Sequence, residues 1–133
     1  MAMSHFGNVP AQSLADALEK HVAKMDEAEL ASLLSSRVAD MQPDSRSALV
    51  ESIFDAFRDR GESSEDAAEG AATSLESIAS GDARAIDALI AYSRENTGLL
   101  KEALSIFAEQ HSAHLDALPS AIVDGIADRL TQS

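Results

Sequence analysis

Apolar residues recur along this chain at spacings of three and four, and caps, glycines and prolines cut the recurrence into segments. Leu14, Leu18, Val22 and Met25 make the first stripe, behind Pro10, a residue suited to a first helical turn. Asp26 followed by Glu29 reads as a capping box, opening a second helix with Leu30, Leu33, Leu34, Val38 and Met41 on one face. Pro43-Asp44 stops that helix and starts a third, whose apolar side is Leu49, Val50, Ile53, Phe54 and Phe57. Gly61 stands behind Arg58 and Arg60 as its C-terminal stop. After Gly81-Asp82, Ile86, Leu89 and Ile90 mark a short helix ending near Asn96. Thr97 is the expected cap of a longer helix carrying Leu100, Leu104, Phe107, Leu115 and Leu118. Beyond Pro119 a last helix runs through Ile122, Val123, Ile126 and Leu130.

No segment alternates with a period of two, no repeat of fixed period is visible, and no linker rich in Pro, Gly and Ser divides the chain. The pattern predicts an all-α, compact, single-domain bundle of six or seven short amphipathic helices over residues 10–131. Residues 1–9 are expected to be a flexible N-terminal arm, with Met1-Ala2 reading as a cloning scar ahead of Met3. Leu99 and Ile106 lie off the main stripe of their helix, which places it centrally in the bundle or at a subunit interface, the central position being favoured.

Residues 62–82 depart from the rest. They hold six acids (Glu62, Glu65, Asp66, Glu69, Glu76, Asp82) and no Lys or Arg, and only Leu75 and Ile78 are large apolar residues among alanines and Gly70. Small residues bury little area, and Gly70 costs about 1 kcal/mol of helix propensity relative to Ala. A thin, marginal edge helix is the expectation here, with a mobile flap or partner-docking segment as the functional alternative.

Composition narrows the function classes. The 133 residues are 45% hydrophobic but only 4% aromatic, so the core must be built from Leu, Ile, Val and Ala. There is no Cys, which removes disulfides, thiolate metal sites and cysteine nucleophiles together. The net charge of −13 repels phosphate backbones and anionic membrane surfaces, so neither nucleic acid nor membrane is an expected partner. No apolar run reaches the length of a membrane span, and the N-terminal residues lack the pattern of a secretory signal; cytoplasm is the expected location.

The usual catalytic signatures are missing: no glycine-rich phosphate loop, no nucleophile elbow and no His-Glu-x-x-His occur. The carboxylate pairs Asp55/Asp59 and Glu65/Glu69 share helical faces, but in so acidic a chain such pairs read as solvated surface, and no catalytic residue is assigned. One constellation remains. His111 and His114, three apart, fall inside the stripe of Leu100, Leu104, Phe107 and Leu118, and His21 falls between Leu14, Leu18, Val22 and Met25. Three inward imidazoles are a candidate ligand set for a transition metal. Against this, no Asp or Glu lies three or four residues from His111 or His114, and Arg37 and Ser93 interrupt other stripes without any chemistry to explain them.

Three functions follow, in order. The first is a small acidic helical protein with a non-enzymatic interaction or regulatory role, binding a protein partner or a second copy and needing no cofactor. The second is a histidine-ligated metal-binding bundle or small metalloenzyme using His21, His111 and His114. The third is a carrier of an apolar small ligand, which the scarcity of aromatics and abundance of Ala argue against.

Overall fold

The computed structural model describes residues 10–96 and 98–132, and over these the chain is all helix and turn. Eight α-helices follow one another: α1 Ala11–Val22, α2 Glu27–Val38, α3 Pro43–Asp59, α4 Ser64–Gly70, α5 Leu75–Ala79, α6 Ala83–Arg94, α7 Leu99–Gln110 and α8 Ser120–Gln132. A 3₁₀ segment, Ser112–Ala117, joins the last two. The expected arm at residues 1–9 and the expected cap Thr97 lie outside the described residues; the N-cap position of α7 is Gly98. No helix among the described residues is long and apolar enough to cross a membrane.

Helix α7 is the axis of the bundle. It packs against α1 and α3 on its two sides and also meets α2, α6 and the 3₁₀ segment. Leu99, Leu100, Ala103, Leu104, Phe107 and Ala108 are all buried on it, which explains why its apolar residues spread beyond one stripe. Full burial of a Leu or Phe contributes about 1.5–3 kcal/mol, so this helix anchors much of the core. The other extensive pairings are α8 on α1 and α2 on α6, with α4 and α5 packed more lightly beside α3 and α6.

Three successive helices end in the same 6→1, 5→2 hydrogen-bond pattern. At the end of α3, Glu62 N–H donates to Phe57 O and Gly61 N–H to Arg58 O, with Gly61 at φ +86°. At the end of α5, Asp82 N–H donates to Ser77 O and Gly81 N–H to Ile78 O, with Gly81 at φ +84°. The same pair of bonds closes α4, from Thr73 N–H to Ala68 O and from Ala72 N–H to Glu69 O, but the left-handed position there is Ala72, at φ +60°. The expected single helix over 62–82 is therefore two short ones. Ser63 and Ser74 start them, accepting from the backbone N–H of Asp66 and Ser77.

Arg46 ties the middle of the fold together. Its guanidinium donates to Met41 O (3.1 Å), Gly81 O (2.8 Å) and Ala39 O (3.1 Å), satisfying carbonyls behind both α2 and α5 from one position on α3. Arg37 makes the corresponding link from α2 to Ala117 O of the 3₁₀ segment at 2.9 Å. The capping box expected at Asp26 does not form. Asp26 occupies the N-cap position without a side-chain bond, and the adjacent Glu27 instead accepts the N–H of Gly98 at the start of α7. A carboxylate there meets the positive end of the α7 dipole.

Candidate functional site

The three candidate histidines divide into two places. His21 is half-buried on α1, and its ring lies against Gly125 of α8: a Cβ built on Gly125 would sit over the ring, well short of contact distance from Cε1, Nε2 and Nδ1. Glycine at 125 is what lets the two helices close over an imidazole.

His111 and His114 do come together, but not as neighbours on one helix. Helix α7 stops at Gln110, and His111 leaves it at φ −131°, ψ 40°, so the expected continuous helix to Leu118 is corrected to a helix, a break and a 3₁₀ segment. The two rings sit 6.4 Å apart, with Phe107 5.9 Å from His111. Both are held from α3: Ser45 Oγ lies 3.1 Å from His114 Nδ1, and Glu51 Oε2 lies 3.6 Å from His111 Nε2. Among the described residues, no three His, Asp or Glu side chains converge in a way that could hold a metal ion. Ser45 beside His114 has the outline of a nucleophile and its base, but Ser45 is only 5% exposed. A substrate carbonyl has no approach to Oγ, and the pair serves to satisfy a buried hydroxyl.

Two surface depressions stand out among the described residues. The larger, about 670 Å³, opens between the α4–α5 connection and α6, where Gly70, Ala71, Ala72, Ala88 and Ala91 surround Tyr92. Tyr92 is already committed: its ring stacks on Phe57 at 5.5 Å, and its hydroxyl donates to Glu62 Oε2 at 2.7 Å. That bond to Glu62, then burial, then the surrounding acids hold the phenol above its ordinary pKa. Arg94 and Glu95 complete the lining of this open depression, whose floor is otherwise made of alanine methyls.

The smaller groove, about 270 Å³, lies between α3 and α5 and is mainly apolar, with Val50, Phe54, Leu75 and Ile78 set beside Glu51. Leu75, at 37% exposure, is the exposed large apolar side chain among the described residues. Phe54 is half-buried at its other wall. The sequence pattern assigned Phe54 to the core stripe of α3 and could not show that α5 leaves it partly uncovered. The one readable signal was that Leu75 belongs to a segment with too few apolar residues to bury it.

Charge on the folded surface is strongly one-sided. Arg58 pairs with Asp55, and Arg60 with Glu102 at 3.5 Å, whereas Arg37, Arg46 and Lys101 direct donors at backbone carbonyls. Acids crowd even at the Arg60 pair. Burial, followed by a hydrogen bond shared with Asp59, pushes the Glu102 carboxyl above its usual range despite the opposing pull of Arg60. The chain matches no protein-family model, and comparisons with curated proteins and with solved structures likewise return no match.

Proposed function

We propose that this chain is a non-enzymatic interaction protein whose acidic helical surface receives a basic protein partner. The observation that carries this reading is the disposition of its cations. With a net charge of −13, three of its ten bases direct donors at backbone carbonyls. Asp44, Glu65, Glu69, Glu76 and Asp87 meanwhile stand exposed on α3 to α6. A surface of this kind draws in cationic chains and repels anionic ones over distances of about a Debye length, roughly 10 Å at moderate salt. Ser45 beside His114, the arrangement closest to an enzyme's, is closed to substrate, which favours binding over catalysis.

The test is fluorescence anisotropy with two labelled peptides of equal length, one of Lys and Ser and one of Glu and Ser. Saturable binding of the Lys/Ser peptide at low salt, weakening steadily as salt is raised, is expected, with no binding of the Glu/Ser peptide. Absence of saturable binding by the Lys/Ser peptide at low salt would overturn the reading.

A further inference from the structure

We infer that the groove between α3 and α5 is the docking site for a cationic amphipathic helix of a partner protein, an inference that rests on the acidic-interaction reading above. The groove has the two properties such a segment needs. Its apolar walls, Val50, Phe54 and Ile78 with Leu75 at the lip, leave about 270 Å³, below the usual range of small-molecule pockets but enough for one or two aliphatic anchors. Its rim is acidic. Glu51 lines it, and exposed Glu65 and Glu76 directly follow the lining residues Ser64 and Leu75. Asp44, exposed seven residues before Glu51, lies on the same side of α3 two turns earlier.

Few cations offset these acids: residues 62–82 contain no Lys or Arg, Arg58 is engaged by Asp55, Arg46 spends its donors on the carbonyls of Ala39, Met41 and Gly81, and His111 stands 3.6 Å from Glu51. Charge therefore decides the occupant. A second copy of a chain carrying −13 would bring acids against acids, and phosphate-bearing or anionic lipid surfaces are repelled alike. A helix with Leu-type residues on one face and Lys or Arg beside them satisfies both the walls and the rim. Leu75 and Phe54 act as the anchors, because they are the apolar side chains of the groove left exposed or half-exposed, and a few such residues carry most of the binding energy.

The experiment compares the Lys/Ser peptide with an amphipathic Lys/Leu helix of the same charge and length, on the wild-type chain and on Leu75→Ser and Leu75→Met. The expected result is that the wild type prefers Lys/Leu by about tenfold, a difference of about 1.4 kcal/mol. The preference should collapse in Leu75→Ser and survive in Leu75→Met, with helical content unchanged in both. Equal affinity for the two peptides, or a preference untouched by Leu75→Ser, would overturn the groove while leaving the acidic-surface reading intact. Failure of both peptides to bind at low salt would remove both.

Discussion

Replacing Gly125 by Ala tests the closest approach in the fold. Helix propensity alone makes Gly→Ala favourable by about 1 kcal/mol in a helix interior. Here the added methyl would overlap the His21 ring, which must pivot by roughly 1 Å to reach ordinary contact distance. Overpacking of this kind costs about 1–3 kcal/mol, and with a side chain rather than backbone having to move, the middle of that range, about 2 kcal/mol, applies. The net expectation is a loss of about 1 kcal/mol in the wild-type background. In a His21→Ala background the obstruction is gone and Gly125→Ala should stabilise by about 1 kcal/mol, so the two sites couple by about 2 kcal/mol. Urea unfolding of the four proteins, followed by circular dichroism, measures every leg of the cycle. Equal stabilisation by Gly125→Ala in both backgrounds would show that the ring does not lie over Gly125, and the placement of His21 as a packing residue would be wrong.

The remaining predictions use other single features. Ala72→Gly should stabilise by about 0.5–1 kcal/mol, since removing Cβ relieves a left-handed φ that costs roughly 1–2 kcal/mol, partly offset by the greater freedom of Gly when unfolded; unchanged or lower stability in urea would contradict the turn described. Arg46→Lys should destabilise by about 1–3 kcal/mol, because a single ammonium cannot serve Ala39, Met41 and Gly81 together; a loss confined to a few tenths would show those bonds to be idle. Tyr92 is the only tyrosine in a chain without Trp, so phenolate absorbance titrates it alone. Its midpoint should lie above the ordinary value of about 10 and fall toward it in Glu62→Gln. Because the folded form holds this proton more tightly than the unfolded form, the associated stability is fully present below the ordinary phenol pKa and is lost as pH rises through the raised one. A wild-type midpoint at or below that of Glu62→Gln would break the Tyr92–Glu62 assignment.

The helical character of the chain is legible in its spacing because each apolar stripe reports a buried face directly. Leu14, Leu18 and Val22, or Ile86, Leu89 and Ile90, are buried where the period of 3.6 puts them. What spacing cannot carry is a break without a breaker. Nothing in Gln110-His111-Ser112 announces the end of α7, and the chain turns there because Leu115 and Leu118 reach the core through a tighter 3₁₀ segment. That break moved both histidines off the helical face on which their spacing of three had meaning. Ala72 made the same difficulty at α4, since an alanine in the left-handed position carries no compositional mark. The partners of the histidines, Gly125 for His21 and Ser45 and Glu51 for the other two, come from helices far along the chain. Such tertiary pairings leave no trace in local sequence. The groove lay partly within reach: residues 62–82 stood out as an acidic, underpacked segment, but its opposite wall on α3 required the fold.

The docking claim is tested most directly by recording amide resonances of the isotope-labelled chain while the Lys/Leu helix is added. The largest shifts should gather on Ser47, Val50, Glu51 and Phe54 of α3 and on Leu75, Ile78 and Ala79 of α5, with α1 and α8 left quiet. Shifts spread evenly over the exposed acids, or gathered on α1 and α8, would contradict it.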